Sequence, residues 1–136
     1  MVQSRFLLDT HAFLWWQAGD PRFPGHLLAD VASPDNLAFV SAVTCWEIVT
    51  KFQLGKLDVP AGIAGDIEGS VLRARMMPLP VTFAHAQRTG SLPYFHKDPF
   101  DRLLIAQALI EGLTLISRDV VFDQYGAKRV INRSSS

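Results

Sequence analysis

Asp9, Glu47, Asp101 and Asp119 are carboxylates that each fall where an apolar run ends or a helical pattern begins, spread over most of the chain. In an open α/β sheet the C-terminal tips of the strands line one crevice, and ligands bind there. Four carboxylates brought into one crevice repel each other unless protons or a cation hold them together. Hard oxygen donors suit Mg²⁺ or Mn²⁺, with water and substrate phosphate filling the remaining positions. The chemistry to expect is metal-assisted cleavage of a phosphodiester, in which the ion activates water and stabilises the leaving oxygen.

Each acid also has a local reason to be where it is. Asp9 directly follows Phe6-Leu7-Leu8 and precedes a helical segment, the position of an N-cap. Thr44 and Glu47 have the spacing of a reciprocal capping box. Asp98 stands before Pro99 as a cap, Asp101 is placed to complete that box, and Asp119 suits the start of a short segment over 120–125. The joint pattern is what local capping does not explain. Helix N-termini that follow parallel strands all face one edge of the sheet, so capping residues there are crevice residues as well.

The elements that must position these acids alternate along the chain. Phe6-Leu7-Leu8, Leu37-Ala38-Phe39-Val40 and Leu113-Thr114-Leu115-Ile116 are too short for helices and lack polar alternation, as strands covered on both faces do. Weaker strands are predicted over 76–81, pushed to a sheet edge by Pro78 and Pro80, and over 129–131. Helices are predicted over 10–18, 44–54, 61–75, 83–89 and 99–111, the third weakened by Gly62, Gly65 and Gly69. The helix over 99–111 has the fullest set of signals, with Asp98 as cap, Pro99 at its first position and Gly112 after its end. The order β-α-(α)-β-α-α-β-α-α-β-α-β argues for one doubly wound parallel sheet. Residues 1–133 read as one domain and 134–136 as a frayed tail.

A chain of 136 residues, 49% apolar and 19% charged, suits one globular domain. Thirteen basic and thirteen acidic side chains cancel, so a nucleic acid would be held by local patches and not by a global positive field. The single cysteine, Cys45, excludes an internal disulfide and a thiolate cluster. Neither a signal peptide nor an apolar run long enough to span a bilayer is present, and a cytoplasmic protein without a membrane partner is expected.

Three stretches carry a resemblance: 7–16 (Leu7-Leu8-Asp9-Thr10-His11), 39–48 (Phe39 to Trp46-Glu47-Ile48), and 96–108 (His96-Lys97-Asp98-Pro99-Phe100-Asp101-Arg102). Together they closely resemble PIN-domain ribonucleases, above all the VapC-type toxins of toxin–antitoxin pairs, and 111–119 continues the match. The resemblance implies a single-domain, three-layer α/β/α fold around a central parallel sheet of four to five strands. It implies an endoribonuclease using Mg²⁺ or Mn²⁺, which leaves a 5′-phosphate and a 3′-hydroxyl. It also implies a cognate antitoxin protein as partner, an RNA substrate and a homodimer. By position, Asp9, Glu47 and Asp101 match the family's acidic triad and Asp119 its more variable fourth acid. Asp98 stands as the alternative third acid, with Asp101 favoured.

Around the acids, Thr10 and Ser117 are expected to hydrogen-bond the carboxylates or bound water, and simple capping serves them as well. With His11, Arg102 and Arg118 they make up the candidate substrate-binding set, the arginines holding phosphate or neutralising the acids. His11 and His96 flank the crevice without a cysteine partner, so no zinc site is expected. Trp15, Trp16, Trp46 and Phe52 are expected in the core or an interface. Two other classes compete. One is a non-catalytic RNA- or protein-binding module on the same fold. The other is an aspartate-nucleophile phosphatase built on Asp9, which wants a second Asp where His11 stands.

Overall fold

The computed structural model describes residues 2–130. The proposed frayed tail and Ile131 lie outside them. Within them, five strands form one sheet: β1 (Arg5–Leu8), β2 (Leu37–Ser41), β3 (Met77–Leu79), β4 (Thr114–Ile116) and β5 (Arg129–Val130). Their order is β3-β2-β1-β4-β5, and every pairing is parallel. β1 is central, with Leu8 opposite Val40 on one side and Ile116 on the other. Pro78 is tolerated because β3 is outermost, where a missing N–H disrupts no further ladder.

Alternation along these strands divides the core into two layers. Phe6, Leu8, Ala38, Val40 and Ile116 face one, together with Ala12, Phe13, Leu27, Ile48 and Val71. Leu7, Phe39 and Leu115 face the other, with Val43, Leu104, Ile105, Ala108 and Phe122. Helices therefore cover both faces, and the expected three-layer α/β/α arrangement with its parallel sheet is borne out. α1 (Thr10–Ala18), α2 (Gly25–Ala32) and α5 (Ile67–Arg73) serve the first layer. α7 (Pro99–Glu111) and a 3₁₀ segment, Val120–Tyr125, serve the second. α3 (Ala42–Gln53) gives Ile48 to one and Val43 to the other.

Two expected elements are corrected. The helix over 61–75 is two, α4 (Ala61–Ala64) and α5. Asp66 interrupts them and caps α5 by accepting from the Gly69 amide at 3.0 Å. A Cβ at Gly69 would stand 2.1 Å from the Asp66 carboxylate, so this glycine makes the cap possible. The second correction concerns the Thr44–Glu47 capping box. α3 begins three residues earlier than that box implies, with the Ser41 side chain accepting from the Val43 amide. Glu47 thus lies in the second turn, released from capping. α6 (Phe83–Thr89) is as expected, with Thr82 and His85 forming its capping box. No helix of the described residues is long and apolar enough to cross a membrane.

Candidate active site

β1, β2 and β4 all end at the same edge, and the chain leaves each by entering a helix or a 3₁₀ turn. Asp9, Glu47, Asp98, Asp101 and Asp119 come together there, lining one cleft of about 420 Å³. Thr10, His11, Trp15, Lys51 and Arg118 complete its wall. Five carboxylates thus face two permanently charged cations.

Asp9 is 8% exposed and is indeed the cap of α1, its Oδ1 accepting from the Ala12 amide at 2.8 Å. Its own amide donates to the Ile116 carbonyl, which ties the end of β1 to β4. Burial pushes its carboxyl above the ordinary range, opposed by hydrogen bonds from Ser117 and Ala12. Glu47 is 4% exposed. One of its oxygens accepts from the Thr10 hydroxyl at 2.5 Å, and the other is paired with the Lys51 ammonium one turn along α3.

Asp98 and Asp101 separate cleanly. Asp98 caps α7 through the amides of Phe100 and Asp101. Asp101 directs Oδ2 at the His96 ring, Nε2 being 2.7 Å away. The Asp101 carboxyl is pushed up to about 7, first by burial and then by the Asp98 charge, with Glu47 adding to it and His96 opposing. Asp119 caps the 3₁₀ segment by accepting from Val121, and its Oδ2 lies 3.2 Å from the same His96 nitrogen.

Five carboxylates against two cations leave the cleft negative, and oxygen donors dominate it. The residues present therefore fit a divalent ion. The buried hydroxyls bond the acids and their backbone. Thr10 holds Glu47, while Ser117, fully buried, bonds Asp9 and accepts from the Asp119 amide. Thr10 also lines the cleft, whereas Ser117 lies beneath it, fully buried.

Arg102 lies apart from the acids. It is 7% exposed, and its guanidinium donates to the carbonyls of Thr89, Leu92, Pro93 and His96 at 2.7–3.2 Å. It shapes the loop before α7 and does not line the cleft. His11 and Arg118 do line it, the Arg118 guanidinium lying 5.1 Å from the Trp15 ring centre. Trp15 is a wall residue, not wholly core, and Trp46 is 54% exposed.

Lys51 in the cleft wall and His96 against two of its acids make contacts that the sequence reading does not assign them. Lys51 carries a signal in its i,i+4 spacing from Glu47. His96 is expected to flank the crevice, but its pairing with Asp101 and Asp119 depends on long-range contacts of its loop.

Comparisons with known proteins bear on the family and the fold. The family model described as PIN domain matches residues 6–128. Ribonuclease VapC22 of Mycobacterium tuberculosis is 26% identical over 114 residues, which is 83% of this chain and 85% of that protein. Among solved structures, VapBC2 from Rickettsia felis bound to a promoter DNA fragment superposes with a TM-score of 0.68 at 14% identity, covering 93% of this chain and 97% of that one. DNA-bound VapBC from Salmonella typhimurium does so at 0.63 and 18%, covering 93% and 96%.

Proposed function

The chain belongs to the PIN-domain family, and on that premise we propose that it is a metal-dependent endoribonuclease, the toxin of a toxin–antitoxin pair. The observation that carries the reading is the single cleft in which Asp9, Glu47, Asp101 and Asp119 meet at the C-terminal edge of a parallel sheet. The similarity to a protein named a ribonuclease and to toxin–antitoxin complexes supports the substrate and the partner.

Mg²⁺ or Mn²⁺, when bound, supplies charge for the scissile phosphate and lowers the pKa of a water. Asp9 and Asp101 are the acids we assign to hold it, with Glu47 and Asp119 beside them. Ser117 and the Ala12 amide keep Asp9 in one orientation, and Thr10 does the same for Glu47. A carboxylate of this set orients the attacking water and takes its proton, leaving a 5′-phosphate and a 3′-hydroxyl. Lys51 and Arg118 are the cations in reach of the RNA backbone. No side-chain nucleophile is required. Action on RNA in the cytoplasm is part of this reading. The exposed apolar face of α3, Trp46, Val49 and Phe52, supports a surface for a second copy of the chain or the antitoxin.

Analysis of RNA ends tests the reaction. Purified protein with Mg²⁺ or Mn²⁺ should produce 5′-phosphate and 3′-hydroxyl ends, and excess EDTA should stop it. Products ending in 2′,3′-cyclic phosphate would contradict attack by water.

A further inference from the structure

We propose that His96 is a ligand of the metal ion, supplying an imidazole nitrogen beside the oxygens of Asp101 and Asp119, and that it shifts the preference of the site from Mg²⁺ towards Mn²⁺. The inference rests on the metal-dependent reading of the cleft and adds a donor of a different kind to it.

Among the described residues, His96, Asp101 and Asp119 form a group whose donor atoms all lie within 4.8 Å of one another. His96 Nε2 is 2.7 Å from Asp101 Oδ2 and 3.2 Å from Asp119 Oδ2. Small side-chain adjustments would let one cation take the place of these two contacts.

Groups outside the acids hold His96 there. Its amide donates to the Tyr125 hydroxyl at 2.8 Å, and that hydroxyl donates to the Pro93 carbonyl. Its carbonyl accepts from Arg102 at 3.2 Å. Its ring lies 6.1 Å, centre to centre, from that of Phe122, a buried residue of the second core layer. The residue is therefore anchored through backbone and ring before any ion arrives, and ordering it costs little at binding. His11, the histidine that lines the cleft, is exposed and lies beside Trp15.

An imidazole nitrogen discriminates between the two ions. Mg²⁺ prefers oxygen and gives up water reluctantly, whereas first-row transition ions accept nitrogen readily. Replacing His96 by asparagine keeps a polar side chain of smaller reach and removes the nitrogen donor.

The test uses the full chain with Mn²⁺ alone as probe. Pulsed EPR should show ¹⁴N coupling from a directly bound imidazole in the wild type and in His11→Asn, and none in His96→Asn. Calorimetry should find Mn²⁺ bound about tenfold more weakly by His96→Asn while Mg²⁺ changes by less than about threefold. Bound Mn²⁺ without ¹⁴N coupling in the wild type, or an unchanged Mn²⁺-to-Mg²⁺ preference in His96→Asn, overturns the role of His96 and leaves the carboxylate site standing. Wild-type protein that binds no Mn²⁺, or binding untouched by Asp101→Asn, overturns the metal site itself and His96 with it. The wild-type spectrum decides ligation even if a variant fails to fold.

Discussion

Asp98 and Asp101 sit three residues apart at the start of one helix and do different work: Asp98 accepts from two backbone amides, one of them that of Asp101, while Asp101 faces the His96 ring. The first is a cap that raises the charge density around the second, and the second carries the raised carboxyl.

Substitutions should separate the two roles. Asp98→Ala is expected to lower stability by about 1 kcal/mol, the usual loss for an N-cap. Asp101→Asn is expected to leave stability near or above wild type at neutral pH and to abolish RNA cleavage. Thermal melts and a cleavage assay on both variants check this. Full activity in Asp101→Asn with loss in Asp98→Ala would exchange the assignments.

The Asp101 carboxyl also sets a pH dependence. A carboxyl raised from 3.8 to about 7 binds its proton more tightly in the folded state than in the unfolded one. Metal-free protein should therefore lose stability as pH rises through that interval, with the loss complete above it. Asp101→Asn should reduce the slope without removing it, because burial raises Asp9 as well. Melts in EDTA across roughly pH 5 to 8 measure it, and an identical slope in the variant refutes the assignment.

Much of this arrangement was legible from the chain. The Asp98-Pro99 start and Gly112 end of α7 are local signals, and the structure follows them. The short apolar runs became strands because each is covered on both sides. What was not legible depended on competition or distance. Ser41 caps α3 ahead of Thr44, so a correct capping pattern pointed to the wrong turn. Gly69 read as a helix weakener, although its lack of a Cβ makes room for the Asp66 cap. α2 was only an optional element, since it begins at Gly25 and Pro24 offers no side-chain cap. His96 is placed by Tyr125, 29 residues away, and by Arg102, neither of which any local pattern connects to it.

Arg102 holds four carbonyls with one planar fork, which an ammonium does not reproduce. Arg102→Lys is expected to cost about 2–3 kcal/mol by urea unfolding, because buried acceptors lose their donor. A change below about 0.5 kcal/mol would show the clamp to be dispensable.

Lys51 is the standing counter-charge of Glu47, and it competes with any other cation for the cleft. Lys51→Met should strengthen Mn²⁺ binding by about fivefold, equivalent to ~1 kcal/mol of removed repulsion. Weaker binding in calorimetry would mean that Lys51 organises the acids instead of opposing the ion.

The most direct measurement compares Mn²⁺-supported RNA cleavage by wild type and Asp9→Asn at matched stability. Asparagine caps a helix about as well as aspartate, so α1 should survive the change and only the negative charge is lost. The account predicts melting temperatures within a few degrees and a cleavage rate lower by at least about a hundredfold. Cleavage by Asp9→Asn at the wild-type rate would contradict it.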